Sequence, residues 1–170
     1  MSSMRTGKGV LALVVAGMFL SFSVNHVFAQ TQAGSKKEAK KEEKKLKKET
    51  KKLEGKAEEA EEALGRDAVF CILAAHTSGV GTAQQLRDKF NSLSGFPFGQ
   101  FVAAVLLADR IAKPLDEILA QLQAGMSIGQ ITKEADVSMG EVRRGFGEFR
   151  SELARSMTNP PTRDCFASTP

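Results

Sequence analysis

Three four-residue motifs constrain this chain more than anything else in it: Thr82-Ala83-Gln84-Gln85, Ser127-Ile128-Gly129-Gln130 and Ser138-Met139-Gly140-Glu141. In each, a hydroxyl can accept from the amide three residues on while the Gln or Glu side chain reaches back, forming the capping box that opens a helix. Thr82 with Gln85, Ser127 with Gln130 and Ser138 with Glu141 therefore predict three helix starts. Apolar residues recur between them at helical spacing, and no alternating run indicates a strand.

The remaining punctuation agrees. Residues 66–77 carry the run Val69 to Ala75 and stop near Gly79. The helix after Thr82 turns Leu86, Phe90 and Leu93 inward. Pro97 suits the first position of the next helix, and Phe98 to Ile111 is apolar nearly all round, as a central buried helix would be. Pro114 opens another, with Leu115, Ile118, Leu119 and Leu122 as its inward stripe and Gly125 as its stop. The last two use Ile128 and Ile131, then Val142, Phe146, Phe149, Leu153 and Met157. The fold expected is all-α: a compact orthogonal bundle of about six helices over 65–158. Gly99, Gly129 and Gly140 recur in FGQF, IGQI and MGEV, where a missing side chain allows a neighbouring helix close in.

The N-terminus has the layout of an export signal. Arg5 and Lys8 precede the apolar stretch Gly9 to Val24, and Val27-Phe28-Ala29 places small residues at the first and third positions. Residues 1–29 are expected to be a signal peptide cut between Ala29 and Gln30, leaving the chain periplasmic or secreted. The alternative is an uncleaved inner-membrane anchor with the domain outside the cytosol. No Cys beside the cut supports a lipid anchor. Residues 30–64 follow as a Lys/Glu-rich spacer, helical or disordered. Pairs such as Glu43 with Lys47 and Glu49 with Lys52 stabilise a solvated helix only weakly. Ala39, Leu46, Leu53 and Ala60 recur every seven residues, but the companion series Glu43, Thr50, Ala57, Leu64 is half polar and Gly55 interrupts the run. A fraying spacer is the expectation, and a weak coiled coil with a partner the alternative. The overall charge of +4 comes from outside the bundle, because 63–170 holds 11 basic and 11 acidic residues. Such a neutral domain lacks the field that gathers phosphates.

Residues 114–150 resemble the trihelical core of helix-turn-helix proteins, with Gly125, Ile131 and Val137 as packing points and Ser138 and Val142 after the turn. Asp136 stands where that family usually has Gly, and Asp tolerates the left-handed conformation needed there. The resemblance implies a DNA-reading third helix, yet its front offers Met139, Gly140 and Glu141, with Glu141 and Glu148 opposing Arg143 and Arg144. The unit therefore reads as scaffold, and no nucleic-acid partner is expected. The whole chain is also similar to uncharacterised small exported bacterial all-helical proteins, which implies an all-helical fold and an envelope location but no activity.

Two cysteines in an oxidising compartment read as one disulfide, Cys71 with Cys165, pinning the Pro-rich tail 159–170 to the first bundle helix. The alternative is a buried Cys71 and a free Cys165 thiol. Catalytic material is scarce. Beyond residue 29 the sole histidine is His76, expected as a cap or solvent-facing group at a helix end. No metal-ligand spacing and no cofactor fingerprint occur. Asp116-Glu117 suits the positive end of a helix. Phe98, Phe101 and Phe149 could border a ligand pocket, though core packing explains them more simply. The function expected is a non-enzymatic module, interaction or structural, with an unknown protein partner or self-association through the spacer. It touches a membrane only through an uncut leader. A DNA-binding regulator is the alternative if residues 1–29 are not an export signal.

Overall fold

The computed structural model describes residues 25–160 and 165–166; residues 1–24, most of the segment expected as a signal peptide, and most of the tail lie outside them. The described residues form seven α-helices and no strand: α1 Asn25–Leu64, α2 Arg66–His76, α3 Ala83–Asn91, α4 Phe98–Ile111, α5 Leu115–Gln123, α6 Ile128–Glu134 and α7 Met139–Thr158. The described residues from 36 onward group into one compact unit, and the core lies wholly within it. No described helix is long and apolar enough to cross a membrane.

Local chemistry accounts for the boundaries. Thr82 Oγ1 accepts from the Gln85 amide (3.2 Å) while Gln85 Oε1 accepts from the Thr82 amide (2.9 Å). Ser127 and Gln130 repeat this at 3.2 and 2.7 Å. The third motif behaves differently. Ser138 Oγ accepts from the Gly140 amide at 3.2 Å, so Ser138 caps α7 by a shorter reach and Glu141 is not the partner expected of it. Pro97 and Pro114 stand one place earlier than expected, at the N-caps of α4 and α5, with extended ψ of 135° and 134°. The ring fixes their φ at −64° and −56°, and the extended ψ is the one a residue just before a helix adopts. At Gly65, φ of +86° turns the chain sharply between α1 and α2, a conformation that costs a residue with a side chain.

α4 is the axle of the core. Every residue from Phe98 to Ala108 except Gln100 is buried, and α2, α5, α6 and α7 supply Val69, Leu73, Ile118, Ile131, Phe146 and Phe149 around it. Phe70, Phe90, Phe98 and Phe101 meet in tilted and edge-on pairs, with centroids 5.2–6.1 Å apart. This arrangement suits the ring quadrupoles and fills the space between α2, α3 and α4. Phe98 and Phe101 are thus core, not the edge of a ligand pocket.

The segment expected as a solvated spacer is corrected by its burial. Leu46, Leu53, Ala57 and Ala60 of α1 are at most 1% exposed and belong to the same core cluster as α4. Thr50 lies on the same stripe and satisfies its hydroxyl by donating to the Leu46 carbonyl at 3.0 Å. The steps 46, 50, 53, 57, 60 are those of a heptad seam. Gly55 does not interrupt it, because it sits on the exposed side of a continuous helix. The physical reason is that five small or apolar groups on one stripe suffice to dock a helix, however charged its other faces are.

Candidate functional site

The strongest constraint on what this molecule does is where α1 lies. Glu42 reaches Arg143 of α7 at 2.8 Å, and Glu49 pairs with Arg150, one heptad further along both helices. The two pairs run in the same order, so α1 and α7 lie alongside each other in the same chain direction. A methyl group at Gly99 would stand 2.7 Å from the Glu54 carbonyl oxygen, and one at Gly129 would stand 3.2 Å from the Glu43 side chain. Two of the three recurring glycines are therefore contact points for α1, at the starts of α4 and α6. Gly140 meets only its own cap, Ser138.

α5, α6 and α7 fall where the trihelical resemblance places them, and Asp136 takes the left-handed conformation at φ +54°. Part of their would-be reading face is engaged by acid. Arg143 and Arg150 are tied to α1, and Arg110 crosses Gly145 to approach Glu148 at 3.6 Å. An open concavity at the start of α7 is bordered by Glu49, Glu141, Arg143 and Arg144, a set of mixed sign. Lys45 and Arg143 beside Glu42 hold its carboxyl below the usual range, Lys45 contributing most.

A second concavity of about 470 Å3 lies between α1 and the facing ends of α4, α5 and α6. Leu46, Leu122 and Ile128 form its floor, while Lys47, Lys51, Glu54 and Gln130 stand at its rim. Burial, reinforced by the neighbouring Glu58, raises the Glu54 carboxyl above its ordinary value.

His76, expected as a cap or solvent-facing group, does stand in the last turn of α2, but it is held by another helix. Its Nδ1 lies 2.6 Å from Glu152 Oε2 on α7, and its ring stands edge-on to Phe149 at 5.1 Å. Nothing in the sequence around His76 marks Glu152 as a partner, because only packing of α2 on α7 brings them together. The geometry is that of a clasp between two helices. Asp116 pairs with Lys89 and Glu117 with Lys113, so these acids also tie the start of α5 to its surroundings. No group of three His, Cys, Asp or Glu among the described residues is placed to hold a metal ion.

Cys71 and Cys165 stand at disulfide distance, with Cα atoms 5.8 Å apart and 94 residues between them in sequence. Beside this link the Arg87 guanidinium lies over the Phe166 ring at 4.3 Å, so the tail is held on α2 and α3 by a covalent and a cation–π contact together. The proposed cut between Ala29 and Gln30 falls in the first turns of α1, of whose side chains nothing is described. No protein-family model matches the chain, and neither a curated protein nor a solved structure shows significant similarity to it.

Proposed function

We propose that this is an exported, non-enzymatic helical module, periplasmic or secreted once residues 1–29 are removed, which binds a protein partner or a second copy of itself. Its helices α2–α7 are read as an orthogonal bundle, with α5–α7 serving as scaffold. The observation that carries the compartment is the Cys71–Cys165 pair at disulfide distance in a chain with an export-type leader. Such links persist outside the reducing cytosol. The non-catalytic reading is supported by where the reactive side chains lie: His76, Glu42, Glu49 and Arg143 all serve as links between helices.

The seam that would have served a partner coiled coil over 46–60 is filled by the chain's own core. Association is therefore assigned to other surfaces. The test is to fractionate cells, label thiols in the denatured, unreduced protein, and crosslink it where it resides. An extracytoplasmic protein with no free thiol and a reproducible crosslinked species is expected. Two free thiols per chain in a cytosolic fraction would refute the compartment, and a crosslink-free monomer would refute the association.

The second reading is a DNA-binding regulator, favoured by the left-handed turn at Asp136 between α6 and α7. It requires duplex binding whose affinity falls steeply with salt. The pairing of Arg143 and Arg150 with glutamates of α1 weighs against it.

A further inference from the structure

The near balance of Lys and Glu in α1 conceals a separation that the fold exposes. Residues 36–52 hold ten lysines and four glutamates, net +6, whereas 53–64 hold one lysine and five glutamates, net −4. Around the helix the segregation is sharper. With Leu46, Thr50 and Leu53 fixed inward and about 100° per residue, Lys37, Lys40, Lys41, Lys44 and Lys48 gather on the outward-facing side, with Lys47 and Lys51 along its edge above the concavity. All seven are exposed. Among the described residues none of them stands in an ion pair with a carboxylate. Three glutamates of the same stretch are engaged elsewhere. Glu42 and Glu49 are drawn to Arg143 and Arg150, and Glu43 packs at Gly129.

We infer that this lysine face docks the protein on an anionic phospholipid surface. The face runs about 21 Å along the helix at 1.5 Å per residue, long enough to meet several headgroups at once. Its chemistry favours a diffuse sheet of phosphates over a structured ligand. Lysine ammoniums are point charges without the bidentate fork that recognises one phosphate or one base edge. The stretch holds no aromatic ring on which a nucleobase could stack. It also presents no exposed Leu, Phe or Met to insert between acyl chains, so adhesion rests on charge alone. Each lysine near such a surface strengthens binding about fivefold. The reversal to Glu58, Glu59 and Glu62 further along ends the contact, leaving the C-terminal part of α1 repelled. This inference does not depend on which side of a membrane the protein occupies.

The experiment is cosedimentation of the protein without its apolar residues 1–29 (residues 30–170), with vesicles of phosphatidylglycerol and phosphatidylcholine against phosphatidylcholine alone. Binding to the anionic vesicles alone, weakened steeply (about tenfold or more) between roughly 50 and 300 mM salt, is the expected result. Replacing Lys40, Lys44, Lys47 and Lys51 by Gln should weaken it at least tenfold, while the same four replaced by Arg retain it. Because these positions are exposed, circular dichroism and the melting temperature should stay unchanged in both variants. If the Gln variant unfolds, salt titration of the Arg variant still decides. Equal binding to neutral vesicles, indifference to salt or to the Gln substitutions, or preferential capture by duplex DNA in direct competition with the anionic vesicles would overturn the inference.

Discussion

α1 and α4 contribute to one core by opposite means. α4 is buried from Phe98 to Ala108 save for the half-exposed Gln100, and could be recognised as interior from hydrophobicity alone. α1 is among the most charged stretches of the chain and buries only a stripe: Leu46, Thr50, Leu53, Ala57 and Ala60. The difference teaches that composition describes a helix's exposed faces, while its docking depends on the one face that is not charged. A helix with an apolar residue only once per turn can be as much part of a core as one that is apolar all round.

The comparison is most open to attack at Leu53. If α1 is core, Leu53→Ala should destabilise the protein by about 2–5 kcal/mol, the same range as Leu107→Ala on α4. Chemical denaturation of both variants checks this. A Leu53→Ala cost within about 0.5 kcal/mol, the range of ordinary surface substitutions, would return α1 to the status of a spacer. Next in size is the contact between the two helices. Gly99→Ala places a methyl against the Glu54 backbone, which cannot swing away as a side chain would, so a loss of about 1–3 kcal/mol is expected. Gly140→Ala lacks any such neighbour helix and should cost less than Gly99→Ala in the same measurement.

A smaller test uses the cap at the other contact with α1. Ser127→Ala removes the acceptor for the Gln130 amide at the start of α6 and should cost about 1 kcal/mol. Smallest is Glu54, half-buried where α1 meets α4. Its folded carboxyl titrates above the unfolded value because of burial and Glu58, so the folded state holds more protons between the two. This group therefore favours folding most below its ordinary pKa, and the benefit is lost as pH rises through the raised value. Glu54→Gln should leave stability at neutral pH equal or higher, by less than about 0.5 kcal/mol, and flatten the decline above pH 4.5. A steeper decline in the variant would reverse the assignment.

Much of the architecture was readable before any tertiary information. Thr82, Gln85, Ser127 and Gln130 mark helix starts because a cap is a contact between residues three apart. Phe98 to Ile111 announces itself as interior for the same local reason. Ser138 caps α7 as well, but its hydroxyl accepts from the Gly140 amide, so only the reciprocal part expected of Glu141 differs. The resemblance of 114–150 to a helix-turn-helix unit located α5, α6 and α7, but it could not show that Arg143 and Arg150 are engaged by α1.

Sequence alone determined the all-helical character of the described residues, the caps Thr82 and Ser127, the central place of α4 and the pairing of Cys71 with Cys165 as one of two options. Tertiary structure decided that Glu42 meets Arg143 across 101 residues, that Glu152 meets His76 across 76, and that the Lys/Glu helix belongs to the core. The reason is one of range. A helix's period and caps are written in neighbouring residues, whereas the side on which a two-faced charged helix lies down depends on partners elsewhere in the chain, here Gly99, Gly129, Arg143 and Arg150.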